Sequence, residues 1–304
     1  MSKISPLACV DPAAQIADDA FIGPFCVIGP QVRIGSGCVL HNNVTVCGDV
    51  VIGANNQFFA NAVIGGPPQD LTYQNGLCKV RIGDGNIFRE GVSVNGGSDK
   101  FCNLTQIGNN GLFMINAHIS HDSYIGDNCL IVNGTNLGGH NHLESHARLS
   151  GLIGTHPFVT FGRYCYAGGV SAITRDIPPF TIVAGSYPCK VRCINEIGLR
   201  NANFSEESIK ALKLAFRRLF RSGVPKKQLV DEFETEAIHD ENVLHLVRSL
   251  RRSACHQHNR FLEAVYMGQV SRDDSIWEGC EHSWAPSLID AKAAWQLRNQ
   301  GEKK

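Results

Sequence analysis

From Val10 onward the chain places an apolar side chain at every sixth position without a miss: Val10, Ile16, Ile22, Ile28, Ile34, Leu40, Val46, Ile52, Phe58 and Ile64. The pattern lapses over 65–81, a stretch that opens Gly65-Gly66-Pro67-Pro68, and returns at Ile82, Phe88 and Val94. After a second lapse over 95–106 it continues as Ile107, Phe113, Ile119, Ile125, Ile131, Leu137, Leu143, Leu149, Thr155, Phe161, Ala167 and Ile173, with Thr155 its one polar member. A period of six fits neither the 3.6 residues of a helix nor the simple alternation of an open sheet. It fits a solenoid in which each hexad supplies a short strand and a corner, three hexads make a triangular coil, and each inward residue stacks on its equivalents above and below. Twenty-five hexads predict roughly eight coils. The glycine that often follows the aliphatic residue, as in Ile22-Gly23, Ile34-Gly35 and Ile52-Gly53, is expected at the corner, where a missing Cβ eases a tight turn. A β-sandwich would space its strands irregularly, about 8–12 residues apart, and the strict period argues against it.

Proteins built on hexapeptide repeats wind left-handed, against the general crossover preference, so the expected fold is mainly β: a left-handed parallel β-helix over 1–190. The two lapses fall between well-formed hexads and are expected to project as loops, where binding residues collect on a rigid scaffold. They carry Gln69-Asp70-Leu71-Thr72-Tyr73 and Asn95-Gly96-Gly97-Ser98. Past Asp176-Ile177-Pro178-Pro179 helical spacing takes over, and 191–253 is expected to form an α-helical C-terminal domain. Ser205 is a candidate N-cap with Glu206 and Glu207 in the first turn, Ile209, Leu212, Phe216 and Leu219 on one face, and Gly223 with Pro225 at the end. Helices are also expected around 225–237 and 241–253, the latter with Val243, Val247 and Leu250 on its apolar face and Arg248, Arg251 and Arg252 off it. Residues 254–304 form an extension of unassigned role, with a helix expected near 286–299.

Composition adds little. Lys plus Arg and Asp plus Glu both number 28, so no global field points to nucleic acid or to a membrane surface. No apolar run approaches the ~18 residues of a membrane span, the start lacks the plan of a signal peptide, and the twelve cysteines form no CxxC pair. They read as small buried hydrophobes in a reducing cytoplasm.

The candidate chemistry lies in Met114-Ile115-Asn116-Ala117-His118-Ile119-Ser120-His121-Asp122 and in the histidines that follow: His140, His142, His146 and His156. Three converging imidazoles would suit zinc, and simple structural histidines are a second possibility. The reading preferred here is general base catalysis, with an imidazole held by a carboxylate taking a proton from a sugar hydroxyl so that the oxygen attacks an acyl carbonyl. Asp122 fits an orienting carboxylate better than a metal ligand, and Gly138-Gly139 offers backbone N–H groups to the oxyanion. The tail group Cys255, His256, His258, Cys280 and His282 is too irregular in spacing for a metal site, and Trp277 and Trp284 are expected to pack the extension back onto the protein.

Over about residues 5–253 the chain resembles the acyl-carrier-protein-dependent UDP-N-acetylglucosamine O-acyltransferase family. The resemblance rests on Ile64-Gly65 with Gln69-Asp70-Leu71, the 114–122 stretch, Leu137-Gly138-Gly139-His140, Gly154-Thr155-His156, Gly168-Gly169, Asp176-Ile177-Pro178-Pro179 and the helix from Ser205 to Gly223. It implies His121 as base, Asp122 as its orienting partner and the Gly139 N–H as oxyanion donor. It also places Asp70, His118, His140, His156, Asn195 and Arg200 around the substrate, with Gly169 gauging acyl length. The implied reaction moves a 3-hydroxy fatty acyl group from acyl carrier protein to the 3-position of UDP-N-acetylglucosamine or a close analogue, the opening step of lipid A biosynthesis. It needs no cofactor and runs in a homotrimer with sites between subunits. The basic face Lys210, Lys213, Arg217 and Arg221 would dock the acidic carrier. Several expected nucleotide contacts are replaced, by Thr72, Gly96, Pro157, Asn201 and Ala202. A non-catalytic protein that binds nucleotide sugar or carrier is the alternative those losses support.

Overall fold

The computed structural model describes residues 3–74, 76, 78–98, 103–236, 238–270 and 275–277. Two-residue strands, each ending on the inward hexad residue, pair in parallel with the strand one coil away, as Phe21-Ile22 does with Val39-Leu40. They build the three faces of a left-handed parallel β-helix. Both lapses in the repeat are excursions from intact coils: Ile64 pairs with Val94, and Val94 with Ile119. Burying each aliphatic side chain contributes roughly 1.5–3 kcal/mol over leaving it in water, so the chain re-enters each coil with the hexad in register.

The corner does not sit at the glycine. Left-handed backbone occurs three residues before many of the inward side chains, at Asn43, Asn55, Asn61, Asn110, Asn116, Asp122, Asn128, His140 and Phe158 among others. Asn and Asp tolerate that region because their short polar side chains bond locally. The glycine after the aliphatic residue is set instead by the neighbouring coil: a Cβ on Gly23 would lie 2.4 Å from the His41 carbonyl oxygen, and one on Gly35 2.5 Å from that of Gly53.

Two residues before most of the inward side chains lies a second buried position, often filled by small groups such as Ala20, Cys26, Cys38, Ala62, Cys129 and Cys165. Cysteine serves there as a small hydrophobe, and the described cysteines form no disulfides. Phe58, Phe88 and Phe113 stack along the axis at 4.6 and 4.7 Å. Gly111 makes room for the last of them, since a Cβ there would come within 2.7 Å of the Phe113 ring.

The last parallel strand, Thr181–Ala184, pairs antiparallel with Lys190–Ile194. The expected boundary at 190 therefore falls inside the sheet, and the hairpin leads the chain out of the prism. Helices α1 (Glu196–Asn201), α2 (Glu206–Arg221), α3 (Lys226–Thr235), α4 (Glu241–Ser253) and α5 (Phe261–Tyr266) follow. The Ser205 side chain accepts from the Ser208 N–H at 3.1 Å and caps α2. Ile209, Leu212, Phe216 and Leu219 meet Leu229, Phe233, Val243 and Val247 in a second core that reaches the prism through Phe180 and Ile194. Arg252, off the apolar face of its helix, is nevertheless buried, with Nη2 4.0 Å from the buried Glu144 of the prism. Cys280, His282, Trp284 and the helix expected near 286–299 lie outside the described residues.

Candidate active site

The coil repeat brings Asp122, His140 and Phe158 to equivalent left-handed corners, with φ of 56°, 60° and 66°. Their side chains project from one edge of the prism, one coil apart. The His140 and Phe158 rings stack at 4.3 Å, and His121 meets His140 edge-on at 5.1 Å.

Asp122 is the electrostatic centre of this edge. Its side chain is fully buried, and the second loop closes over it. Ser98 N–H donates to both carboxylate oxygens at 3.0 Å, and the Ser98 hydroxyl donates to Oδ2 at 2.6 Å. His121 Nδ1 lies 2.9 Å from the same Oδ2. An ionised carboxylate only accepts, so Nδ1 carries a proton, and in the neutral ring the lone pair is then on Nε2. The Gly96-Gly97 pair allows the loop this approach, since a Cβ on Gly97 would fall 1.9 Å from the Leu104 nitrogen.

Gly139 faces the other side of His121. A Cβ on it would come within 2.6 Å of His121 Nε2 and Cε1, so only glycine lets the backbone lie against the basic nitrogen. The Gly138 and Gly139 amides differ in use. Gly138 N–H donates to Thr155 Oγ1 at 2.8 Å, whereas Gly139 N–H donates to none of the described residues. This is why the single polar hexad residue is polar: Thr155 fixes the Gly138-Gly139 turn, and its hydroxyl also donates to the Asn141 side chain, which reaches the His156 carbonyl.

His118 stands in the same neighbourhood, its Nδ1 2.7 Å from Ser93 Oγ. Burial, and next the nearby His121, hold its pKa below the usual imidazole value. His121, Asp122 and His140 are the one group of three potential metal ligands converging among the described residues, their atoms within 4.8 Å of one another. The Asp122 carboxylate already accepts from Ser98 and His121, an arrangement that suits an orienting anion.

The remaining expected residues are dispersed. Asp70 lies in the first loop, where it accepts from Thr72 N–H at 2.8 Å and from the Thr72 hydroxyl at 2.6 Å. His156 is exposed, with Nδ1 3.0 Å from the Pro157 oxygen, and Gly169 is exposed on a later coil. Asn195 caps α1, accepting from Gly198 N–H and donating to the Tyr164 carbonyl. Arg200 pairs with Glu206 at 2.7 Å and shares a groove of about 400 Å³ with Lys210, Lys213, Leu214 and Arg217. In the basic face Lys213 is held by Glu196 at 3.0 Å, and Arg221 donates to the Arg192 carbonyl. His256 in the tail group pairs with Glu263 at 3.2 Å. Sequence reasoning missed the Ser98 clamp, although its loop was singled out, and missed the extension residue Tyr266 beside His140.

Fold and site together define a hexapeptide-repeat transferase, and the family described as bacterial transferase hexapeptide (six repeats) matches residues 13–48. A second family, described as UDP-N-acetylglucosamine O-acyltransferase, domain 2, matches residues 176–257. The acyl-carrier-protein-dependent UDP-N-acetylglucosamine O-acyltransferase of Gloeothece citriformis is 45% identical over 188 residues, 62% of this chain and 67% of that protein. The Stutzerimonas stutzeri enzyme of the same name is 41% identical over 237 residues, 78% of this chain and 92% of that one. The solved UDP-N-acetylglucosamine acyltransferase of Francisella novicida superposes with a TM-score of 0.79 at 37% identity, covering 82% of this chain and 91% of that chain. The chain belongs to the acyl-carrier-protein-dependent UDP-N-acetylglucosamine O-acyltransferase family.

Proposed function

We propose that the protein transfers a 3-hydroxy fatty acyl group from acyl carrier protein to the 3-hydroxyl of UDP-N-acetylglucosamine, the opening step of lipid A biosynthesis, as a cytoplasmic homotrimer. The observation that carries this reading is the pairing of a carboxylate-held imidazole, His121 on Asp122 at 2.9 Å, with the uncommitted Gly139 N–H beside it.

The steps follow from that geometry. His121 Nε2 takes the proton of the sugar hydroxyl as its oxygen attacks the thioester carbonyl, and Asp122 stabilises the imidazolium that forms. The Gly139 N–H donates to the oxyanion. Collapse breaks the carbon–sulfur bond, the imidazolium returns its proton to the departing thiolate, and the ester leaves with the sugar. His118, His140, His156 and Asp70 would bind the sugar and pyrophosphate, with Asn195 and Arg200 completing the nucleotide site and Gly169 limiting the acyl chain. No cofactor is needed, because the base and the amide supply both charges the transition state demands. No helix among the described residues is long and apolar enough to cross a membrane.

Mass spectrometry of products from UDP-N-acetylglucosamine and a panel of acyl carriers tests the reading. A 3-O-acylated nucleotide sugar is expected, and absence of acylation with every carrier would favour the non-catalytic binding protein. The carrier surface has its own test. Among the described residues Lys210 and Arg217 make no ion pair, so reversing both to glutamate should raise the KM for acyl carrier protein about tenfold at low salt. The difference should shrink as salt screens the encounter, and an unchanged KM would return these residues to an ordinary solvated face.

A further inference from the structure

The extension beyond residue 253 is built against the catalytic edge. The matched family ends at residue 257, and relatives are covered almost end to end by about four-fifths of this chain. Yet residues 259–261 are tied to the prism by hydrogen bonds. Asp176 N–H donates to the Asn259 carbonyl at 2.8 Å, and Phe261 N–H donates to the buried Asp176 carboxylate at 2.8 Å. The Arg260 guanidinium donates to the Thr174 carbonyl at 2.9 Å. Phe261, Leu262, Ala264 and Val265 then form a small core that includes Phe158 of the prism and, from the extension, Trp277.

This anchoring carries the last residue of α5, Tyr266, to the aromatic column at the site. Its ring centroid lies 5.0 Å from that of Phe158 and 5.9 Å from that of His140. His140 is thus bounded by Phe158 stacked on its face, by the edge of His121 and by Tyr266, while its Nε2 sits 4.0 Å from Asp122 Oδ2.

We infer that the extension forms a wall of the acyl-transfer site and that Tyr266 is a positioning residue, holding the His140 ring in the orientation in which it meets the nucleotide sugar. The role rests on the function proposed above. A ring bounded on three sides does not need to be ordered when the acceptor arrives, so affinity for the acceptor gains while the proton transfer at His121 is untouched.

Calorimetric titration of UDP-N-acetylglucosamine into the full-length protein tests this with Tyr266→Phe, Tyr266→Leu and Tyr266→Ala. The aromatic contact predicts roughly fivefold weaker binding for the leucine and alanine variants. Binding within twofold of wild type is expected for phenylalanine, with kcat little changed throughout. Leucine keeps apolar bulk in the small core, so the comparison still reads the ring if the alanine variant misfolds. The His140 ring-proton resonances give a measure independent of activity: they should shift in Tyr266→Leu and stay near wild type in Tyr266→Phe. Wild-type affinity together with unshifted His140 resonances in Tyr266→Leu would overturn the proposal. Should wild type bind no UDP-N-acetylglucosamine, the functional reading falls, and the His140 resonances alone decide whether Tyr266 positions that ring.

Discussion

Replacing His121 with alanine lowers acyl-transfer turnover by about a hundred- to ten-thousand-fold, the span attributable to a positioned general base. The loss should appear in kcat, since His121 acts on a proton that moves only in the transition state. The fold should survive, because Asp122 keeps both donors from Ser98 and the coil around it is held by its inward residues Ile119 and Ile125. Single-turnover kinetics with an unchanged melting temperature to within a few degrees is the expected result. Turnover close to wild type would remove His121 from the role of base and bring His118 or His140 forward.

The second large effect is on stability and lies away from the chemistry. Glu144 is buried where the prism meets α4, accepting from Arg163 N–H at 2.7 Å and from His245 Nε2 at 3.0 Å, with Arg252 4.0 Å away. Burial alone would raise its pKa, but His245, Arg252 and the Arg163 N–H outweigh that and hold it at about 2. Glu144→Ala removes the buried acceptor shared by His245 and the Arg163 N–H, and removing one member of such a group costs about 3–5 kcal/mol. Thermal melts should show it as a loss of several degrees.

The pH dependence has a defined sign. A depressed carboxylate pKa contributes stability that is present above about 4.5 and fades as pH falls toward about 2, so the gap between wild type and variant narrows over that window. A gap constant with pH would show that the carboxylate is not ionised in the fold. Asp176 runs the other way: burial, against donors from Phe261, Thr160 and Ser253, pushes it up to about 7. Its contribution therefore declines as pH rises from 3.8 through 7.

What was legible in the chain tracks how local the cause is. The inward aliphatic residues, the loops at 65–81 and 95–106 and the amphipathic faces of α2 to α4 are written at short spacing, and a periodic pattern reports them directly. The glycine after the aliphatic residue was misplaced at the corner because its reason lies in another coil: Gly23 is small on account of the His41 carbonyl. Asn at the true corner carries a backbone preference that a count of apolar residues overlooks. Six-residue helices such as α1 and α5 are too short to express a face, and their positions come from packing and from capping by Asn195.

The candidate site divides along the same line. Resemblance singled out His121, Asp122 and Gly139, and the coil geometry makes their proximity intelligible, because residues about 18 apart fall one above another. Ser98 on Asp122 and Thr155 beneath Gly138 follow from loop closure and from the coil above, and neither carries a spacing of its own. By itself, then, the sequence determined the hexad solenoid, its interruptions and the amphipathic helices after it, since each rests on burying apolar side chains at a fixed local period. Only the tertiary structure decided which of the two glycine amides stays uncommitted among the described residues, which serine clamps the Asp122 carboxylate, that Arg252 lies buried and that Tyr266 reaches His140. Those facts depend on contacts between residues far apart in the chain, such as the 101 that separate Glu144 from His245, and no periodic pattern encodes them.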